Sequence, residues 1–187
     1  MNASRRNALI VGAGLAAAAA GYGAHRWLRL GGAVKPGGID QLLALNLPDA
    51  EGRPQPVTQW RGKLLLANFW ATWCEPCREE VPALIRSQQI HRDKNLQIVG
   101  ISIDSADKVS QFSKTYGITY PLLIGGLESI ELVRALGNRS GGLPFTVLVS
   151  PQGRLLASHL GGLTDRTLAE FLAPHLQGIA SSAEKLP

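Results

Sequence analysis

Residues 63–85, KLLLANFWATWCEPCREEVPALI, decide how this chain is read. Lys63 to Trp70 is an almost unbroken apolar run, the pattern of a strand buried on both faces. It leads through a tight turn at Ala71–Trp73 into Arg78–Ile85, which reads as a helix. The only two cysteines, Cys74 and Cys77, stand at that junction with two residues between them. A Cys-x-x-Cys pair at a strand-to-helix turn reads as a redox dithiol, in which one thiolate attacks and its neighbour resolves. Cys74 falls at the helix N-terminus, where unpaired amides and the helix dipole stabilise a thiolate. Its pKa is expected to drop from about 8.5 to about 3.5–7.5. Cys77, one turn further in, is expected to be buried and to resolve the mixed disulfide. A structural staple is the weaker reading. Cysteines this close cannot close a long loop, and a hydrophobic fraction of 45% supplies a core without one.

The formal charge of +5 suggests a nucleic-acid binder, but its distribution excludes that class. Arg5, Arg6, Arg26, Arg29 and Lys35 all precede the first acidic residue, Asp40. Setting those five aside leaves 14 of the 19 basic residues against 14 acidic ones, so the remainder is formally neutral. The N-terminal segment has the order of a secretory signal: Arg5-Arg6, an uncharged run over residues 7–24, then further basic residues. Ser4-Arg5-Arg6 with Leu9 and Ile10 also resembles a twin-arginine signal. The run just reaches the roughly 17 residues a membrane span needs. Cleavage and retention as an anchor both stay open, and both place the rest of the chain outside the cytoplasm. Gly12-Ala13-Gly14-Leu15-Ala16-Ala17 imitates a dinucleotide-binding loop, but no strand precedes it and no acid follows at about 20 residues.

The expected organisation is an export signal or anchor at 1–29, a linker at 30–38, one domain at 39–177 and a flexible tail at 178–187. Within the domain, Ile39–Leu47 suggests a short strand, and Pro48–Pro54 a turn cluster. A helix is expected from about Pro76 to His91, and a buried strand over Leu96–Ile103. Ser105 or Asp104 is the expected cap of a helix ending at Gly117. Pro121–Ile124 reads as extended and Glu128–Leu136 as helical. A hairpin is expected over Phe145–Leu160, and a final helix capped by Thr164 and ending near Leu176. The order of elements predicts an α/β fold with a central mixed sheet and helices on both faces.

At these residues the chain resembles the thioredoxin superfamily, and more narrowly the TlpA/ResA-like thiol–disulfide oxidoreductases. The motif is Trp73, Cys74, Cys77, then Glu80 and Pro82. The second motif, Gly142-Leu143-Pro144-Phe145-Thr146, matches that family's cis-proline loop, and the resemblance spans about Ile39 to Leu176. It implies a thioredoxin-like fold in which Leu96–Ile124 carries an inserted β-α unit after the active-site helix. It implies a redox-active Cys74–Cys77 disulfide, a cis Pro144 facing it, and a Leu143 backbone free to pair with an incoming peptide. Trp73 is expected at the docking surface. Glu80 is expected near the cysteines as a relay for the Cys77 proton, and Glu75 as a tuning charge. Plain thioredoxin has a buried aspartate where this chain has Asn68, which cannot titrate. That departure moves proton handling toward Glu80 or water.

No cofactor and no metal site are expected. The scattered histidines His25, His91, His159 and His175 lack ligand spacing, and Arg78 occupies the position that a haem-attachment motif gives to His. The implied partners are disulfide-bearing exported clients, an apocytochrome c first and a copper-site protein next. An upstream membrane donor with its own cysteine pair completes the set. Two other classes use the same cysteine pair. A Cu(I) chaperone would want a third soft ligand, for which His159 is the one candidate. A thiol peroxidase would carry Thr three residues before its reactive Cys and Pro seven before, where this chain has Ala71 and Ala67.

Overall fold

The computed structural model describes residues 37–183. The predicted export segment and most of the linker lie outside them. Five strands form one mixed sheet: β3 (Leu64–Trp70), β4 (Leu96–Ser102), β5 (Leu122–Ile124), β6 (Phe145–Val149) and β7 (Leu155–Leu160), in the order β5-β4-β3-β6-β7. Strands β3, β4 and β5 run parallel, while β6 is antiparallel to both β3 and β7. A separate two-stranded ribbon pairs β1 (Asn46–Pro48) with β2 (Pro54–Pro56).

The central strand explains the two-layer core. Every residue of β3 is buried, and successive side chains point to opposite faces. Leu64, Leu66 and Trp70 pack in a cluster with α2 (Glu75–His91), α3 (Ala106–Tyr116) and α5 (Asp165–Ala183). Leu65, Ala67 and Phe69 pack in the other, with α1 (Gly38–Ala44) and α4 (Ser129–Ala135). The sheet with helices on both faces is the arrangement expected, and β4-α3-β5 supplies the inserted unit. The hairpin β6–β7 closes with the Ser150 N–H donating to the Arg154 carbonyl at 2.8 Å. Thr164 caps α5 through its Oγ1, which accepts the Thr167 N–H at 3.2 Å.

Two local expectations are corrected, and a third holds in position only. Residues 38–44 form helix α1, not a strand, and only Asn46–Pro48 is extended. Helix α5 runs on to Ala183, past the expected end near Leu176, so part of the expected tail is helical. Ser105 occupies the N-cap of α3 without a side-chain bond to the helix, and Asp104 is used elsewhere.

Helix α1 depends on a close approach. A Cβ at Gly38 would lie 2.6 Å from the Ala135 carbonyl oxygen and 2.9 Å from its carbon, at the end of α4. Backbone cannot rotate away as a side chain can. Gly38→Ala is therefore expected to lower stability by about 1–3 kcal/mol, read as a reduced urea midpoint at unchanged slope. An unchanged midpoint would show that α1 does not rest on α4.

Candidate active site

The site forms where β3 ends. Cys74 takes the N-cap position of α2 in an extended conformation (φ −82°, ψ 109°), and Pro76 sits in the first turn, where its missing N–H costs nothing. Cys74 and Cys77 are joined as a disulfide with their Cα atoms 5.3 Å apart. Cys77 is 1% exposed and Cys74 7%, so Cys74 is the more exposed residue of the two. Trp73, beside them, is 65% exposed, whereas Trp70 belongs to the core.

Glu80 lies one turn beyond Cys77 and is almost completely buried. Its carboxylate is held by neutral donors. Asn68 Nδ2 donates to Oε1 at 2.8 Å, and the Leu163 backbone N–H donates to Oε2 at 3.0 Å. Burial pushes the Glu80 carboxyl up from 4.5 to about 7, although both hydrogen bonds favour the charged form. Tyr120 is buried as well; burial first, and then the Glu80 charge, push its hydroxyl above its ordinary range. Asn68 is itself fixed, because its register neighbours are Gly100 on β4 and Thr146 on β6, and its Nδ2 also donates to Thr146 Oγ1 at 3.1 Å. The residue that cannot titrate is therefore the one that orients the residue that can.

The Leu143–Pro144 peptide bond is cis. Pro144 is fully determined on its far side, its carbonyl accepting the Gly161 N–H at 2.9 Å. Leu143, by contrast, has an N–H and a C=O that join no hydrogen bond among the described residues. Leu143, Trp73, Cys74, Pro76, Ile103 and Ile130 line a groove of about 470 Å³. Glu75 stands at the same groove, exposed, in the first turn of α2. Of the residues singled out in the sequence, Trp73, Cys74, Glu75 and Leu143 meet at this groove, Cys77 is bonded to Cys74, Pro144 follows Leu143, and Glu80 lies buried one turn past Cys77.

Asp104 was missed in this role. It follows β4, is 9% exposed, and accepts the Thr72 N–H at 2.7 Å and the Thr72 hydroxyl at 2.9 Å. It ties down the turn that carries Trp73 and Cys74. Its sequence signal, an acid after a buried strand, fits a helix cap equally well.

The model of the AhpC/TSA family matches residues 40–158. This chain belongs to that family. Its relatives include the thioredoxin-like protein YneN of Bacillus subtilis, 32% identical over 71% of this chain and 76% of that protein. The thiol-disulfide oxidoreductase ResA of Halalkalibacterium halodurans is 28% identical over 71% of this chain and 74% of its own. Among solved structures, a thioredoxin-related protein from Neisseria meningitidis serogroup B superposes with a TM-score of 0.61 at 28% identity, covering 72% of this chain and 98% of that one. The chain is a thioredoxin-like thiol–disulfide oxidoreductase of the ResA type, with its Cys-x-x-Cys pair in place.

The raised Glu80 pKa sets a pH dependence. The folded state holds a proton that the unfolded state has released between about pH 4.5 and pH 7. Stability from this group is thus present at low pH and lost as pH rises through about 7. The loss is on the order of 3 kcal/mol. Urea midpoints of the oxidised protein should fall from pH 5 to pH 8, and Glu80→Gln should flatten that fall. An equal slope in the variant would remove Glu80 as its source.

Proposed function

We propose that the protein is an exported disulfide reductase, held at or released from the membrane by residues 7–24, that acts on other exported proteins. The observation that carries the reading is Glu80, a buried carboxyl one turn past Cys77 with no cation among the described residues bonded to it. A negative charge there disfavours a thiolate, and hence the reduced form, which makes the dithiol a better electron donor. Glu75 in the first turn adds to the same effect. Arg78, the cation beside Cys77, is turned to the Tyr116 hydroxyl at 3.2 Å.

In this reading the reduced Cys74 thiolate attacks one sulfur of a client disulfide. A Cys74–client mixed disulfide forms and the other client sulfur leaves as a thiolate. Glu80 takes the Cys77 proton, and Cys77 then attacks the Cys74 sulfur. The second client thiol leaves, and Cys74–Cys77 closes. Two electrons have passed to the client, and a membrane donor with its own cysteine pair returns them. The client's backbone pairs with the free N–H and C=O of Leu143, next to the apolar groove beside Trp73. Family resemblance makes the disulfide of an apocytochrome c the leading client, and a copper-site protein the next.

The other classes gain nothing from the geometry. Thr72, the hydroxyl nearest Cys74 in sequence, is committed to Asp104, and Ala71 and Ala67 are buried without polar groups. A peroxidase therefore lacks its partners, and a substoichiometric peroxide assay separates it. Among the described residues no group of three His, Cys, Asp or Glu side chains is placed to hold a metal.

Titration in redox buffers with thiol trapping should give a potential well below about −200 mV, nearer thioredoxin's about −270 mV. A value near about −120 mV would make the protein an oxidant and overturn the reading. Cys77→Ser should accumulate a mixed disulfide through Cys74. Glu80→Gln should slow closure of the Cys74–Cys77 bond by about 10²-fold, the low end for a lost general base. It should also erase the inflection near pH 7 from the rate profile. A wild-type rate without that inflection would assign the proton to another group.

A further inference from the structure

Helix α4 ends in a closure that fixes one residue. Gly137 takes φ 108°, a left-handed conformation, and its N–H donates to the Arg134 carbonyl at 3.1 Å. The next N–H, that of Asn138, reaches back to the Val133 carbonyl at 3.1 Å. This is the paired closure by which helices commonly stop at glycine. It places Asn138 at the start of the loop that leads to Leu143.

The Asn138 side chain is 5% exposed and turned over that loop. Its Nδ2 donates to the Gly142 carbonyl at 2.8 Å. Its Oδ1 accepts the Ser140 hydroxyl at 2.7 Å, and the Ser140 Oγ accepts the Gly142 N–H at 3.1 Å. The Gly141 N–H donates to the Asn138 carbonyl at 3.1 Å. Both polar groups of Gly142 are therefore occupied within the loop, while those of Leu143, one residue on, meet no partner among the described residues. The held segment contains two consecutive glycines, one at φ 68°, and glycine has the most backbone freedom to lose. Without the clasp, ordering this segment would fall on the client at the moment of binding.

We propose that Asn138 is a positioning residue for client docking, with Ser140 completing its bonds. It holds Gly141–Leu143 in the shape that presents the Leu143 N–H and C=O to an extended client backbone. The proposal rests on the reading of Leu143 as the client's backbone partner. A residue that merely stabilised the fold would affect all substrates alike. A positioning residue affects only a client that uses the loop.

The test compares two substrates in single turnovers of the reduced full chain, whose own dithiol supplies the two electrons, with KM and kcat read as the half-saturating concentration and the limiting rate. One is an extended peptide carrying a Cys-x-x-Cys disulfide; the other is dithiobis(nitrobenzoate), a small disulfide without a peptide backbone. Asn138→Ala should raise KM for the peptide by about tenfold, equivalent to ~1.4 kcal/mol, with kcat and the small-disulfide rate within about twofold. Ser140→Ala should shift KM in the same direction, and Ser140→Thr, which keeps the hydroxyl, should restore it. The Ser140 pair decides the matter if Asn138→Ala does not fold. Parallel loss on both substrates, or no change on either, overturns the proposal. N-methylation of the peptide amides flanking its cysteines separates the two levels of the argument. The wild-type protein should discriminate against the methylated peptide, and Asn138→Ala should lose most of that discrimination. Wild-type discrimination that survives in Asn138→Ala overturns the clasp alone. A wild-type protein indifferent to methylation overturns the Leu143 reading and the clasp with it.

Discussion

One buried carboxylate ties the active end of the molecule together. Glu80 belongs to the helix that begins at Cys74, yet its oxygens are bonded by Asn68 on the central strand and by Leu163 ahead of the last helix. Three elements far apart in sequence converge on one group that is costly to bury. The cost is met by neutral donors, so the carboxyl stays near the midpoint of its titration around neutral pH. A cation in either place would have fixed it as a permanent anion. The same arrangement that joins helix, strand and loop therefore leaves a proton acceptor able to change state.

Around that group the site is assembled entirely from segments at one end of the sheet. The β3–α2 turn brings Trp73 and Cys74, and Asp104 after β4 holds the turn through Thr72. The α4–β6 loop brings Leu143 and the cis Pro144. The segment after β7 packs closely on the first turn of α2, leaving a Cβ at Gly162 only 3.2 Å from the Pro76 carbonyl oxygen. The β3–α2 turn and the α4–β6 loop are secured by Asp104 and Asn138, which are not among the reacting groups. That division suits a protein whose substrates are other proteins. The reacting sulfurs must be rigidly placed, while the apolar groove beside them stays open.

The candidate site residues could be picked out of the sequence because their spacing is local. Trp73, Cys74, Cys77 and Glu80 fall within eight residues, and Pro144 is marked by the glycines before it. Helix α1 was not legible. Leu43, Leu45 and Leu47 alternate like a strand, and the Gly37-Gly38 pair looks like a breaker. Gly38 is instead the point where the helix touches the Ala135 backbone, a contact only a missing side chain allows. Asp104 read as a helix cap for a similar reason. Whether an acid at that position turns to its own helix or to Thr72 depends on a loop 32 residues away.

The sequence by itself determined the buried central strand, the dithiol at the start of a helix, the mixed sheet and the neutral charge of the folded part, because periodicity, spacing and composition are local properties. Tertiary structure alone decided who bonds to whom across long separations. It made Asn68 the partner of Glu80, brought the Leu163 amide 83 residues along the chain to the same carboxylate, and set Asn138 over the loop that leads to Pro144. Those pairings follow from strand register and helix packing, which a linear pattern does not encode.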